Sequence, residues 1–293
     1  MNLFWQRSAI RLYATGQKRF LSWEDAVDWL LQQPDKQQLV RDCYYDKPLI
    51  RAAERYHKSP EWLAVNEFLP LNRGSCLDVG AGNGIASYAL AKNKWDVIAV
   101  EPDTSSLVGA AAIQELARTA GLPIRVVVAK GEALPFNDHQ FHLVFARQVL
   151  HHASDLPQLC RELYRVLKPG GRLVAVRDHV ISKPSDLPRF LDGHPLHRLY
   201  GGENAYRLSE YKRALIDAGF RRPTVLGPFD TAINYAPHTI DSLREELVRR
   251  SAIQAPWAIS LIVQSRTLLR IGLRLLSKID RRPGRLFSFV CDR

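Results

Sequence analysis

Two spacings of hydrophobic positions divide the chain. Residues 22–33 and 48–58 carry apolar side chains about 3.6 positions apart, which predicts two amphipathic helices. Ser22, with Asp25 three residues later, resembles a capping box and marks the start of the first helix. Residues 1–70 show no alternation typical of a strand, so this part is predicted to be a helical extension.

After residue 70, short apolar runs alternate with helical segments. Such alternation predicts right-handed crossovers and a parallel sheet with helices on both faces, so the chain is assigned to the α/β class. The predicted strands are 75–80, 96–101, 124–129, 141–146, 172–178, 222–228 and 229–235, and the predicted helices between them are 84–92, 106–120, 155–167 and 208–218.

Three glycines follow the first predicted strand, in the turn Gly80-Ala81-Gly82-Asn83-Gly84. The turn lies at the carboxyl edge of the sheet, where ligands bind in such folds, and glycine lets the backbone approach a ligand closely. The dinucleotide pattern G-x-G-x-x-G would place the third glycine one residue later, and a Walker loop would continue into Lys and Ser or Thr. Since neither phosphate-binding pattern fits, a ligand without phosphate is favoured.

Two carboxylates flank this turn. Glu101 ends the second predicted strand, about twenty residues further on, where an acid accepts hydrogen bonds from ribose hydroxyls. Asp78 precedes the glycines and is placed to receive an ammonium group. The combination suits a cationic nucleoside such as S-adenosylmethionine, and the alternative is that both acids are strand-end carboxylates in solvent.

Five segments carry a resemblance to a known family: LDVGAGNG from residue 77, VIAVEPD from 97, GEALPF from 131, FHLVFARQVLHH from 141 and LKPGG from 167. In order and spacing they resemble class I S-adenosylmethionine-dependent methyltransferases, above all the branch with quinone and sterol C-methyltransferases and many small-molecule O- and N-methyltransferases. The resemblance covers about residues 71–178. It implies a Rossmann-like, seven-stranded, mostly parallel sheet and S-adenosyl-L-methionine as the cofactor.

The resemblance also implies roles for individual residues. Lys130 departs from the pattern, because family members often carry an acid there that contacts the adenine amino group, and a lysine cannot accept that hydrogen bond. The alternative to a cofactor contact is a loop acid free in solvent for Glu132 and an ion pair at the surface for Arg147. The implied cofactor contacts are Gly80, Ala81, Gly82 and Gly84 at the methionine and ribose, Asp78 at the amino group, Glu101 at the ribose, Pro102, Gly131 and Glu132 at the adenine, and Arg147 at the methionine end.

Transfer from a sulfonium requires alignment and exclusion of water, and a base only where the acceptor loses a proton. His151 and His152 after the fourth strand, and Asp178 and His179 at the end of the fifth, are the candidate catalytic residues. Neighbours on a strand face opposite sides, so only one of Asp178 and His179 is expected to contact the acceptor. Packing or helix capping is the alternative for the His151-His152 pair.

Hydrogen-bonding side chains are dense after the fifth strand, where this family builds its acceptor site. They suit a polyhydroxylated or polar acceptor better than an apolar ring, and a polar loop that satisfies its own hydrogen bonds is the alternative. A metal ion held by His194, His197 and Glu203 is a further alternative, but three ligands on an irregular loop define such a site poorly, and no metal is predicted. The predicted acceptor-binding residues are His194, His197, Tyr200, Glu203 and Asn204, with Tyr44 and Tyr45 closing from the N-terminal part.

The basic excess of the chain is concentrated near its C-terminal end. Of a formal net charge of +11, residues 241–293 contribute +6, from 11 Lys or Arg against 5 Asp or Glu. Residues 240–280 are predicted to be helical, with a break at Pro256. Packing on the domain, a dimer contact, an anionic membrane surface and RNA are the alternatives for this segment, and nucleic acid is disfavoured because no RNA-binding module is visible. Its amphipathic part carries Arg266, Arg270, Arg274 and Lys278 among leucines and isoleucines.

Four parts are therefore predicted: an N-terminal helical lid (1–70), a cofactor-binding core (71–178), an acceptor-site insertion with the last strands (179–239), and basic amphipathic helices (240–293). We expect a cytoplasmic methyltransferase, placed at the membrane face, that transfers a methyl group to oxygen of a small or glycan-like polar acceptor. The alternatives are a C-methyltransferase of a quinone or lipid, a methyltransferase of RNA or protein, and a cofactor-binding partner protein without turnover.

Overall fold

The computed structural model describes residues 20–251 and 265–293, which contain one mixed sheet in the order β3-β2-β1-β4-β5-β8-β7, with β6 pairing β5. Strands β1 to β6 pair in parallel, whereas β8 runs antiparallel to both β5 and β7. The α/β class and the mostly parallel sheet are confirmed, with eight strands in place of seven. The strands are β1 Ser75–Val79, β2 Asp96–Val100, β3 Arg125–Val127, β4 Phe141–Arg147, β5 Leu167–Ile181, β6 Tyr206–Arg207, β7 Arg221–Leu226 and β8 Arg285–Asp292.

Alternating side chains of the central strands pack into two separate cores. In β5, Leu173 and Ala175 join one hydrophobic cluster, whereas Val174 and Val176 join the other. Strands β1 and β4 divide their side chains between the same two clusters. The sheet is therefore buried on both faces, which is why its strands read as nearly continuous apolar runs in the sequence.

The helices that cover the sheet begin and end close to their predicted positions. The prediction placed one helix over residues 106–120, but residues 106–109 form a turn. The helix begins at Ala110, whose N–H donates to the Asp103 carbonyl outside the helix. The helices are Trp23–Leu31, Gln37–Asp42, Leu49–His57, Pro60–Asn66, Ile85–Lys92, Ala110–Ala120, Leu156–Val166, Leu187–Gly193, His197–Tyr200, Leu208–Asp217, Ala232–Tyr235, Ile240–Ser251 and Arg266–Ile279.

Two predictions at the C-terminal side are wrong. Residues 229–235 do not form a strand: the Asn234 side chain donates to the carbonyls of Leu226 and Gly227, which ends β7 in a turn and a short helix. Residues 285–292, assigned to the basic helices, form strand β8 inside the sheet. Phe287, Phe289 and Cys291 of β8 enter one hydrophobic core, and Val290 enters the other.

The N-terminal helices and the segment after β5 pack against each other above the sheet. Leu30 and Val40 form a small cluster with Leu196, and Leu21 N–H donates to the Leu199 carbonyl at 2.9 Å. This contact places Trp23 and Tyr45 on the wall of a central cavity. Residues 1–19, which belong to the predicted lid, lie outside the described residues.

The helix Arg266–Ile279 packs on the domain with one face only. Leu269 and Leu273 are buried against a cluster that includes Phe229 and Leu243. Packing on the domain, one of the alternatives for residues 240–280, is therefore confirmed for the face of this helix that carries Leu269 and Leu273. Among the described residues, no helix combines the length and the apolar character needed to cross a membrane. The predicted break at Pro256 lies outside the described residues.

Candidate active site

The glycine turn after β1 is tied to Glu101 at the end of β2. Gly82 N–H donates to Glu101 Oε2 at 2.8 Å, and Asp103 N–H donates to Oε1 of the same carboxylate at 2.9 Å. Gly80 and Gly82 both have positive φ, and a Cβ built on Gly82 would meet no atom within 4 Å. The strand order reverses between β1 and β4, so this turn stands at the point where parallel sheets bind ligands.

Gly84 has a different function from the other two turn glycines. It precedes the helix Ile85–Lys92 with φ of +86°, and a Cβ there would lie 3.1 Å from the Ile113 side chain. It is absent from the residues that line the cavity. The structure adds a structural requirement for glycine here, since few other residues adopt this φ, and its contact with the cofactor stays a prediction.

Asp78 is buried behind the turn, with 1% of its surface exposed, and accepts a hydrogen bond from Ser87 Oγ. Burial raises the pKa of Asp78 to about 7, and the nearby Glu101 carboxylate acts in the same direction. Burial likewise raises the pKa of Glu101, although the backbone N–H groups of Asp103 and Gly82 partly oppose this. Two carboxyl groups that are costly to ionise thus face one cavity, which favours a cationic ligand.

Arg147 lies on the cavity wall, but its guanidinium is held by a partner that the sequence did not reveal. Its Nε donates to Glu61 Oε1 at 2.6 Å, and a second nitrogen donates to Oε2 at 3.1 Å. The Arg177 guanidinium approaches the same carboxylate at 3.6 Å. Glu61 is 1% exposed, so this is a buried carboxylate shared by two arginines. The structure thus adds a structural role to Arg147 beside its predicted cofactor role.

The residues predicted to contact the adenine also border the cavity. Pro102, Gly131 and Glu132 all line the cavity, as does Lys130. Glu132 Oε1 accepts hydrogen bonds from Ser154 N–H and Oγ, each at 3.0 Å, and so connects the loop after β3 to the turn after β4.

The glycine turn and the residues after β5 border one cavity of about 560 Å³, a size typical of ligand sites. We call the part lined by residues that follow β4 and by residues of β5 and the segment after it the acceptor chamber. Six polar side chains line this chamber, all of them predicted from the sequence: His151, His152, His179, His194, Tyr200 and Glu203.

His151 is held between two acids. Its Nδ1 lies 2.9 Å from Asp178 Oδ1, and its Nε2 lies 3.5 Å from Glu203 Oε2. Burial alone would lower the pKa of His151, but the adjacent Asp178 and Glu203 carboxylates prevail and raise it to about 9. Burial would in turn raise the pKa of Glu203, but the neighbouring His151, His152 and His194 lower it. A carboxylate and an imidazolium therefore face each other here at neutral pH.

The other imidazoles of the acceptor chamber are uncharged. Burial lowers the pKa of His152 to about 4 and that of His179 to about 3, and the positive charge of His151 adds to both effects. Burial also lowers the pKa of His194. The chamber therefore presents neutral ring nitrogens beside one buried carboxylate.

Besides Gly84, four predicted site residues do not line the cavity, as far as the described residues define it. Asp178 is fully buried behind His151, so His179 is the member of that pair that faces the cavity. Tyr44 packs beside the Arg55 and Arg147 guanidiniums, and only its backbone carbonyl supports the site, by accepting from Asn83. His197 and Asn204 are absent from the cavity lining as well. A positive φ at Tyr44 turns its side chain away and leaves Tyr45 on the wall.

Several wall residues carried no signal in the sequence. Trp23 and Cys43 come from the N-terminal helices, and Gln148 and Val149 from the turn after β4; Gln148 has a φ of +58°. Glu61 is the most consequential omission, because it neutralises Arg147 from 86 residues away. An acid on an otherwise apolar helix face, next to Trp62 and Val65, is the signal that could have identified it.

Comparison with known proteins identifies the class of this site. The family model described as a methyltransferase domain matches residues 77–175. The chain is 35% identical over 113 residues to an uncharacterized methyltransferase of Mycobacterium sp. (strain JLS), a match that covers 39% of this chain and 42% of that protein. It is 34% identical over 108 residues to malonyl-[acyl-carrier protein] O-methyltransferase 1 of Coxiella burnetii, covering 37% of this chain and 35% of the relative. These matches thus span less than half of either relative.

Solved structures extend the likeness of the fold beyond the matched domain. A geranyl diphosphate methyltransferase in complex with geranyl diphosphate and sinefungin aligns with a TM-score of 0.56 at 18% identity, over 84% of this chain and 80% of that one. Phosphoethanolamine N-methyltransferase 2 of Haemonchus contortus, in complex with S-adenosyl-L-methionine, aligns with a TM-score of 0.54 at 19% identity, over 87% and 59%. Residues 77–175 therefore form a class I methyltransferase domain of the S-adenosylmethionine-dependent type.

Proposed function

We propose that the protein transfers the methyl group of S-adenosylmethionine to an oxygen atom of a small, polar, polyhydroxylated acceptor. The observation that carries this proposal is the acceptor chamber, where six polar side chains border the same cavity as the glycine turn and Glu101. Burying this many polar groups is favourable only if a ligand or neighbouring groups satisfy them. An apolar quinone ring or lipid would give no partner to His194 Nδ1 and Glu203 Oε2, which have none among the described residues, and this disfavours that alternative.

Alignment of donor and acceptor accounts for most of the catalysis expected here. Glu101 and the glycine turn would hold the ribose and methionine, and the ammonium would lie near Asp78. The acceptor oxygen attacks the methyl carbon, a carbon–oxygen bond forms as the carbon–sulfur bond breaks, and S-adenosylhomocysteine leaves with a neutral thioether sulfur. The hydroxyl proton must also leave, and the acceptor chamber offers a nearby acceptor in Nε2 of His152, because Nδ1 of that ring faces the Gly202 carbonyl at 3.1 Å and carries the hydrogen.

Product analysis with methyl-labelled S-adenosylmethionine tests this function. The purified protein is incubated with free sugars, glycan fragments, phenolic diols, quinones and RNA, and the labelled product is identified by mass spectrometry. We expect label in an O-methyl ether of a polyhydroxylated compound. Label at carbon of a quinone would replace the proposal by its C-methyltransferase alternative. Binding of S-adenosylmethionine without turnover, in the presence of extracts of the source cell, would favour a non-catalytic partner protein.

The buried carboxyl of Asp78 predicts that cofactor affinity depends on pH. With a pKa of about 7, Asp78 is mostly protonated at pH 6 and mostly ionised at pH 8. Only the carboxylate attracts the ammonium of the cofactor, so affinity for S-adenosylhomocysteine should rise about tenfold over this range. Calorimetry measures the affinity at each pH. Asp78→Asn should remove the slope, whereas Asp96→Asn, an exposed acid at the start of β2, should retain it. An unchanged slope in Asp78→Asn would assign it to another group.

We further infer that the exposed face of the helix Arg266–Ile279 binds an anionic membrane surface. Four apolar side chains form a stripe there, about half or more exposed: Leu268, Ile271, Leu275 and Ile279. Beside the stripe, Arg266, Arg270, Arg274 and Lys278 are also exposed. An apolar stripe next to a basic row is typical of helices that lie in a membrane interface, and each basic residue near anionic lipid contributes about 1 kcal/mol.

Sedimentation with lipid vesicles tests this surface. We expect binding to vesicles that contain phosphatidylglycerol and little binding to pure phosphatidylcholine. The double change Ile271→Glu and Leu275→Glu should weaken binding by at least about tenfold. Leu71→Glu, which makes the same kind of change at a side chain 95% exposed elsewhere, should bind as the parent does. Absence of binding to the anionic vesicles, or equal binding by the double variant, would contradict the inference.

A further inference from the structure

Four histidines of the acceptor chamber surround a single buried carboxylate. Their ring nitrogens and the Glu203 oxygens form two overlapping groups, one with His151 and His152 and the other with His179 and His194, and in each group the three atoms lie within 4.8 Å of one another. A wall that only had to be polar would not require so many imidazoles directed at one carboxylate. The arrangement of their hydrogen bonds indicates a more specific use.

In two of these rings, Nδ1 already has a backbone carbonyl as its hydrogen-bond partner. Nδ1 of His179 lies 2.8 Å from the Gly284 carbonyl, and Nδ1 of His152 lies 3.1 Å from the Gly202 carbonyl. A carbonyl only accepts, so both Nδ1 atoms carry the hydrogen and both Nε2 atoms keep a lone pair. Metal-binding histidines in proteins show this arrangement, in which one nitrogen donates to a carbonyl or carboxylate and the other coordinates the ion.

Two buried atoms of the second group have no hydrogen-bond partner among the described residues: His194 Nδ1 and Glu203 Oε2. His194 Nδ1 lies 3.7 Å from Glu203 Oε1, which is too far for a hydrogen bond. Two ligands of one tetrahedral ion, each at about 2.1 Å from it, are separated by about 3.4 Å. The separation therefore fits two ligands of one ion better than a direct contact.

We propose that His179, His194 and Glu203 bind one divalent transition-metal ion in the acceptor chamber. Two imidazoles and one carboxylate suit zinc, iron(II), manganese or cobalt, whereas magnesium and calcium prefer oxygen ligands throughout. His151 stands behind Glu203, with its Nε2 3.5 Å from Oε2, and Tyr200 donates its hydroxyl hydrogen to Oε1. Both would orient the carboxylate from outside the coordination sphere.

Three protein ligands leave positions open toward the cavity. If the proposed function holds, on which this step rests, an acceptor with two adjacent oxygen atoms, such as a vicinal diol or a catechol, would occupy them. The ion would then fix which hydroxyl faces the methyl group. It would also favour loss of that hydroxyl's proton, because a cation stabilises the alkoxide that forms.

Binding of Co²⁺ and Zn²⁺ tests the site without any acceptor. The full chain is treated with chelator, dialysed and titrated, with the visible absorption of Co²⁺ and the metal content after gel filtration as the readouts. We expect one ion per chain and absorption bands typical of imidazole ligation. His194→Ala and the isosteric Glu203→Gln should each weaken Co²⁺ binding at least about 100-fold. His238→Ala, at an exposed histidine outside the chamber, should bind Co²⁺ as the parent does.

Affinity for S-adenosylhomocysteine, measured on every variant, separates loss of the ion from loss of the fold. Unaltered Co²⁺ binding in His194→Ala and Glu203→Gln, or no bound ion in the parent protein, would overturn the proposal. So would loss of binding in His152→Ala with retention in His194→Ala, because the other group would then hold the ion. An ion bound without methyl transfer to any acceptor would refute the proposed function and leave the metal site standing. Methyl transfer by a protein that binds no ion would refute the metal site and leave the proposed function standing.

Discussion

Glu61→Ala should lower the free energy of unfolding by about 3–5 kcal/mol, the largest effect on stability that we expect from one substitution. Glu61 is buried and neutralises Arg147 through two hydrogen bonds, with Arg177 at 3.6 Å from the same carboxylate. Removing the acid leaves two guanidiniums in the interior without a counter-charge. Chemical denaturation followed by circular dichroism measures the change.

Two controls separate the buried charge from the loss of side-chain volume. Glu115→Ala, which removes the exposed partner of Arg118, should leave the unfolding transition unaltered, because water screens that pair. Combining Glu61→Leu with Arg147→Met should recover part of the stability lost in Glu61→Ala, since apolar side chains replace buried ion pairs at low cost. A loss below about 1 kcal/mol in Glu61→Ala would show that water reaches the pair.

Glu101→Gln should weaken binding of S-adenosylhomocysteine by about 10- to 100-fold, the largest effect that we expect on the cofactor. Glu101 has two functions: it would accept hydrogen bonds from the ribose, and it holds the glycine turn through Gly82 N–H at 2.8 Å. Glutamine keeps the shape but replaces one acceptor oxygen by a donor and removes the charge, so both functions suffer. Calorimetry gives the affinity.

Glu132→Gln provides the matched comparison for Glu101→Gln. Glu132 also lines the cavity, but its Oε1 accepts from Ser154, so the substitution should change affinity much less. Equal affinity in Glu101→Gln and the unaltered protein would mean that the ribose is bound elsewhere. The assignment of the glycine turn to an adenosyl ligand would then fail.

Most of the fold could be predicted because short stretches of sequence mark the individual strands and helices. Strands β1 and β4 are short apolar runs, and a parallel sheet buried on both faces produces such runs directly. Strand β8 could not be predicted because Arg281 and Arg282 before it and Arg285 at its start continue the basic pattern of the preceding helix. The alternation of Phe287 and Phe289 was visible, but a strand that enters the sheet out of chain order carries no local sign of its position.

The candidate site was predictable to a different extent at its two ends. The cofactor end depends on a contiguous motif and an acid at a fixed spacing, and both lie where expected. The acceptor chamber depends on side-chain directions within irregular segments, which sequence does not encode locally. The adjacent tyrosines show this, since Tyr45 lines the cavity and Tyr44 does not. Glu61 shows the same limit, because its partner Arg147 lies 86 residues away.

The place of β8 in the sheet has a consequence for synthesis of the protein on the ribosome. Strand β7 ends at Leu226 and β8 begins at Arg285, yet β8 separates β5 from β7. During translation, the edge of β5 that pairs with β8 therefore stays unpaired until dozens of further residues have been synthesised. An open edge is a template for pairing with other chains, so the nascent protein should depend on chaperones during this interval.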